Sequence, residues 1–181
     1  MNAIDKTEDF AARAGEQLFQ FAIDRGDMKA ILDTLPPMRA QQRALLEYEI
    51  QLLRVISVGW AIAFFLAEDG LKEPIGRLFW ENLRSFSATL SSSAFLTVGS
   101  DIDYFDVLKK RLDFYVGTLD GAGKVSQPAA VIGPAFAETC GDKDDPCAIL
   151  AGSKMFTHTI HAVREYLNET IGQQDAGCEH A

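Results

Sequence analysis

The sequence predicts an all-α protein, a single-domain antiparallel bundle of about six to seven helices with one long central helix. Apolar residues recur at helical spacing along most of the 181 residues. No stretch shows the period-two alternation between turn residues that a strand requires. The loops are short, which favours antiparallel neighbours. We expect one helical domain over residues 1–172 and a flexible polar tail over 173–181.

Start and stop residues place the first two helices. The first is predicted over about residues 7–25 and ends at Gly26. Its apolar face consists of Phe10, Ala14, Leu18 and Phe21. The second, over about 28–34, is capped by Asp27 and ended by the pair Pro36-Pro37.

The third helix, predicted over about residues 38–68, is the longest and would span roughly 46 Å at 1.5 Å per residue. Its first half is amphipathic: one side carries Leu45, Leu52, Leu53 and Ile56, and the other carries Arg43, Glu47 and Arg54. Its second half is apolar all round, which is typical of a helix surrounded by others. We therefore predict that it is the central element.

Four further helices follow. Pro74 suits the start of the fourth, predicted over about 74–98. Ser100 or Asp101 is expected to cap the fifth, which ends before Gly121. A sixth segment, over about 128–140, is predicted to bend at Pro134. The pair Asp145-Pro146 starts the last helix, expected to end near Ile171.

Charge and hydropathy limit the partners and the cellular location that the sequence predicts. The net charge of −9 disfavours binding to nucleic acid or anionic lipid. The densest basic run, Lys109 to Arg111, lies between acidic residues; the i,i+4 spacing of Asp106 and Lys110 predicts a solvated helix face. The longest uncharged apolar run has thirteen residues, whereas a membrane span needs roughly 20. With no signal peptide recognised, the prediction is a cytoplasmic protein outside the membrane.

Familiar catalytic motifs are missing from the sequence. It contains no Gly-rich phosphate loop, no Gly-x-Ser-x-Gly elbow, no Cys-x-x-Cys and no His-Glu-x-x-His. No cofactor is therefore predicted. The missing motifs favour a protein that is not an enzyme, but they do not decide the question. Cys140 and Cys147 could form a disulfide only in an oxidising compartment.

Glu49 is the first candidate for a binding site. It lies in the middle of the apolar face of the third helix, on the same side as Leu53 and Trp60. An unpaired carboxylate buried on that face would lower the free energy of unfolding. If the third and fourth helices form a hairpin, Glu49 falls opposite Ser91 to Ser93, and Asn82 falls opposite Gly59. The functional hypothesis is a small-molecule pocket formed by Glu49, Trp60, Asn82, Ser91 and Ser93. The alternative is a satisfied buried polar layer.

A metal site on the last helix is the second candidate. His158, His161 and Glu165 have i, i+3, i+7 spacing and carry ligand types that suit zinc. They point nearly opposite to the apolar face of the helix, so they would be exposed unless another helix or subunit covers them. Ligands from Cys178 or His180 would be needed to complete the site. Solvated or interface histidines are the alternative interpretation.

Surplus apolar positions suggest a third function. Phe19 with Ile23, and Met155 with Tyr166, lie off the main apolar faces of their helices. Each helix therefore packs on two sides or offers a patch to a partner. The leading hypothesis is a non-enzymatic interaction or regulatory module that binds a protein partner or itself, a homodimer being the commonest oligomer. A small apolar ligand in the bundle and the metal site remain alternatives.

Overall fold

The computed structural model describes the backbone of residues 3–98, 103–123 and 127–178, and the side chains of residues 7–92, 103–123 and 127–171. Within these ranges the chain forms seven α-helices and no strand. They are α1 (Ala3–Ile23), α2 (Gly26–Asp33), α3 (Ala40–Phe65), α4 (Lys72–Val98), α5 (Tyr104–Gly121), α6 (Pro128–Thr139) and α7 (Pro146–Cys178). The predicted all-α class is confirmed.

Most helix ends fall within a few residues of their predicted positions. Pro128 and Pro146 begin α6 and α7, because a first-turn proline has the helical φ and needs no N–H partner. The cap of α5 is Asp103, whose carboxylate accepts a hydrogen bond from the Asp106 amide at 3.0 Å. Two predictions were wrong. The cap of α5 is neither Ser100 nor Asp101, and α7 continues past Ile171 to Cys178.

The central position of α3 is confirmed. It packs against each of the other six helices, and from Leu52 to Gly59 every residue is buried. By length and composition α3 is also apolar enough to cross a membrane, but 67% of its most apolar stretch is buried inside the protein. This burial is what a core helix of a soluble bundle requires.

The helix pairs with the most extensive contact are α6 with α7, α1 with α4 and α3 with α7, rather than α3 with its chain neighbour α4. Small residues explain two of them. A Cβ on Gly15 of α1 would lie 2.8 Å from the Leu78 Cβ of α4. A Cβ on Gly152 of α7 would lie 2.6 Å from three atoms of Phe136 on α6. The missing side chains allow both pairs to approach closely.

The apolar residues that lie off the main helix faces pack inside the bundle. Phe19 and Met155 are buried, and Ile23 and Tyr166 pack partly buried against the core. The Phe19 ring meets the Phe86 ring of α4 edge to face at 5.9 Å between centroids. Of the two readings that the sequence allowed for these residues, packing on two sides is therefore the one observed.

Gly152 provides a test of this packing. Gly152→Ala is expected to lower the free energy of unfolding by about 1–2 kcal/mol, because overpacking against Phe136 outweighs the better helix propensity of alanine. Gly117→Ala is the matched control, since a Cβ there meets nothing within 4 Å. That variant should gain up to about 1 kcal/mol. Urea unfolding measures both, and equal effects would contradict the close approach of α6 and α7.

Candidate functional sites

Glu49 is held by Arg111. The Glu49 side chain is only 2% exposed, and the Arg111 side chain on α5 is 30% exposed. Arg111 Nε donates to Glu49 Oε2 at 2.8 Å, and Arg111 Nη2 donates to Oε1 at 2.6 Å. This two-point contact satisfies the acid far better than serine hydroxyls would, since both partners are charged and the fork matches the carboxylate. Glu49 therefore belongs to a paired polar layer.

Arg111 thus has a different role from its neighbours in the basic run. Lys110 pairs with Asp106 at 2.7 Å on the solvated side of α5, as the i,i+4 spacing predicted. Arg111 instead turns toward the core. The difference follows from the helical repeat, which separates successive residues by about 100° around the axis.

Burial and the charges of the ion pair together shift the pKa values of groups at this layer. Hydrogen bonding to Glu49 raises the pKa of Arg111, so the guanidinium stays charged. Burial, and then the charge of Glu49, raises the pKa of Tyr48 and that of the Cys140 thiol, the latter to about 12. Both side chains therefore stay protonated near neutral pH, and Cys140 is a poor nucleophile. Cys140 and Cys147 are free thiols on one cavity of about 270 Å³.

The structure does not bring the other predicted pocket residues to Glu49. Asn82 Nδ2 donates to Glu16 Oε2 of α1 at 2.9 Å. Trp60 stacks on Phe64 at 4.7 Å between centroids, and the Trp80 ring occupies the space beside Gly59. The Ser91 hydroxyl donates to the Ser87 carbonyl at 2.9 Å and accepts from the Tyr104 amide at 3.4 Å. The side chain of Ser93 lies outside the described residues.

The candidate metal ligands on α7 are engaged with protein groups. His158 Nε2 lies 3.2 Å from Asp27 Oδ2, and His161 Nε2 lies 3.0 Å from Glu165 Oε1. Among the residues whose side chains are described, no three His, Cys, Asp or Glu groups converge on a common point. The side chains of Cys178 and His180 fall outside that part of the chain. His158 and His161 line an open groove of about 620 Å³ between α2 and α7.

Arg54 forms the second charged cluster, which the sequence analysis missed. Predicted on the polar side of α3, this side chain is fully buried. Arg54 Nη2 donates to Asp27 Oδ2 at 3.0 Å and Nε donates to the Phe21 carbonyl at 3.0 Å. The guanidinium also lies 4.4 Å above the centre of the Phe21 ring. Asp27 thus joins Arg54 to His158 and connects α2, α3 and α7.

A candidate ligand site is a cleft of about 390 Å³ between α3, α4 and α5. Its floor is formed by the buried side chains Leu52, Val55, Leu83 and Leu108. The remaining lining residues are Ile23, Arg25, Tyr48, Gln51, Phe86, Ser87, Leu90 and Tyr104. We refer to this site as the α3–α5 cleft.

The exposed polar groups of the α3–α5 cleft lie at its rim, whereas the polar side chain of Ser87 is buried beside the floor. Arg25, Tyr48 and Leu90 are exposed, whereas the floor is closed to solvent. Gln51 Nε2 donates to the Ala22 carbonyl at 2.8 Å, which fixes the orientation of its amide. An apolar floor with a few polar groups above it is the usual construction of a small-molecule site between bundle helices.

An exposed aromatic patch lies elsewhere on the surface. Phe64 is 59% exposed and stacks almost parallel on Trp60, with 11° between the ring planes. Trp60 and the exposed Val116 border the same small depression. We call Phe64, Trp60 and Val116 the aromatic patch. Its rings give a protein partner a flat apolar surface.

Comparison of the chain with protein-family models, with curated proteins and with solved structures found no match. The fold places the chain in the class of all-α bundles. Each candidate site is supported by its own geometry alone.

Proposed function

We propose that this protein is a non-enzymatic cytoplasmic binding protein that holds a small apolar molecule in the α3–α5 cleft. The observation that carries the proposal is the volume of about 390 Å³ over a buried aliphatic floor. Volumes of roughly 300–1,000 Å³ are typical of ligand pockets. Glu49 contributes indirectly, because its pair with Arg111 joins α3 to α5, the two helices that form one side of the cleft.

Leu90→Trp tests whether the cleft is the binding site. Leu90 is 39% exposed on the rim, so the larger indole side chain of tryptophan should obstruct the cleft there without overpacking the floor. We expect the native protein to bind the neutral dye Nile red, and Leu90→Trp to bind it about tenfold more weakly, a loss of about 1.4 kcal/mol. Fluorescence titration measures both affinities.

Leu150→Trp is the matched control. Leu150 is 47% exposed on α7 and does not line the cleft. This variant should bind the dye as the native protein does. An unchanged affinity in Leu90→Trp, or an equal loss in both variants, would contradict binding in the α3–α5 cleft. Native mass spectrometry of protein purified without a metal-affinity tag should also show a retained organic molecule.

Self-association through the aromatic patch is the second candidate function. Its support is the exposure of Phe64, since a large aromatic ring left in water favours burial against a partner. A symmetric dimer would place two copies of the patch face to face. The same mass spectra compare the two candidates. A dimer without a retained molecule favours the patch, and a monomer with one favours the cleft.

A further inference from the structure

The rim of the α3–α5 cleft carries a cation without a described partner. Among the described residues that line the cleft, Arg25 is the one with a full formal charge. Its side chain makes no cap hydrogen bond to α2, and within the described side chains it has no ion pair. In a protein of net charge −9, an unpaired guanidinium beside an apolar cavity is available to an anion from solution.

Two carboxylates next in sequence to lining residues of the cleft, those of Asp24 and Asp103, are occupied. Asp24 Oδ2 accepts a hydrogen bond from the Gly26 amide at 3.1 Å, next to Arg25. Asp103, next to the lining residue Tyr104, accepts from the Asp106 amide at 3.0 Å. Both acids therefore serve as local acceptors for backbone N–H groups. Neither forms an ion pair with Arg25.

Tyr48 adds a hydrogen-bond donor to the same rim. Partial burial of the exposed Tyr48 side chain, followed by the charge of Glu49, raises the pKa of Tyr48, so the phenol keeps its proton. A protonated phenol can donate to an anionic oxygen, as the Arg25 guanidinium can. Below these two polar groups the cleft is lined mainly by side chains of the aliphatic floor, among them Leu52 and Leu108, with the buried Ser87 beside them.

We infer that the ligand of the α3–α5 cleft is a carboxylate amphiphile, whose apolar chain covers the floor and whose carboxylate pairs with Arg25 at the rim. This inference rests on the proposed function. The guanidinium favours the carboxylate over a neutral head group because its planar fork matches two oxygens and its charge is opposite. The affinity comes mainly from the buried chain, since a solvent-exposed ion pair contributes modestly.

Dodecanoate and dodecanol provide the test, because they share a chain and differ in the head group. Isothermal titration below the concentrations at which either forms micelles should show tighter binding of dodecanoate to the native protein. Arg25→Gln should weaken dodecanoate binding about fivefold and leave dodecanol binding unchanged. Arg77→Gln is the control, because it removes the same charge from an exposed residue of α4 outside the cleft.

The outcomes separate the ligand class from the cleft itself. Equal binding of both compounds by the native protein, or unchanged dodecanoate binding in Arg25→Gln, overturns the carboxylate preference while the cleft stands. A loss of dodecanoate binding in Arg77→Gln equal to that in Arg25→Gln also overturns it, since net charge alone would then explain the effect. Failure of both compounds to bind, together with unaltered Nile red binding in Leu90→Trp, overturns the proposed function as well.

Discussion

Arg111→Met is expected to lower the free energy of unfolding by about 3–5 kcal/mol. The substitution leaves the Glu49 carboxylate, 2% exposed, without the guanidinium that now satisfies both of its oxygens. An uncompensated buried charge carries a penalty of this size, because the acid must take up a proton or open a path to water. Urea unfolding followed by circular dichroism gives the value.

The double variant Glu49→Leu with Arg111→Met is the control for this prediction. Replacing both partners by apolar side chains removes the buried charge, so its stability should return to within about 1 kcal/mol of the native protein or exceed it. Glu49→Leu alone should cost less than Arg111→Met, because Arg111 is 30% exposed and its guanidinium can reach water. Equal losses in the two single variants would contradict this account of the pair.

Asp27→Ala is expected to cost about 3 kcal/mol. It removes the carboxylate that Arg54 contacts at 3.0 Å, although the guanidinium keeps the Phe21 carbonyl and ring. Arg54 is fully buried and cannot recover the lost partner from solvent. Asp27→Asn should lose less, because the amide oxygen still accepts a hydrogen bond. Thermal and urea unfolding of both variants measure the difference.

Asp33→Ala is a closely matched control within the same short helix. Asp33 also joins α2 to an arginine of α3, since its carboxylate lies 2.8 Å from Arg43 Nη2. Both of those side chains are substantially exposed, so the pair should contribute less than about 1 kcal/mol. If the two alanine variants lose the same stability, burial of Arg54 is not what makes the Asp27 contact important.

The candidate site was only partly predictable from the sequence. Glu49 stood out because a carboxylate interrupted an apolar face, and its burial in a paired polar layer is one of the two alternatives stated. Its partner Arg111 was not identifiable, since the pair joins residues 62 positions apart and neighbouring bases on α5 point to solvent. Arg54 was missed for the opposite reason. On α3 considered alone, Arg54 falls on the polar side. It becomes buried because α1 and α2 pack over it.

The α3–α5 cleft depends on packing in the same way. Its lining residues come from four separate parts of the chain, from Ile23 to Leu108, and most of them resemble ordinary core positions on their own helices. Periodicity shows that a residue faces inward, but it does not show whether the opposing side chains meet or leave a gap. The position of Arg25 at the rim likewise follows from where α1 and α2 meet beside α3.

The sequence by itself determined the all-α class, the order along the chain of about six to seven helices and the central place of α3, because these depend on local periodicity, prolines and glycines. Only the tertiary structure decided which helices pack most closely, which partner satisfies Glu49, that Arg54 is buried, and where a ligand-sized cleft remains. The physical reason is that helix propensity is local, whereas ion pairing and cavity shape depend on side chains brought together from distant helices.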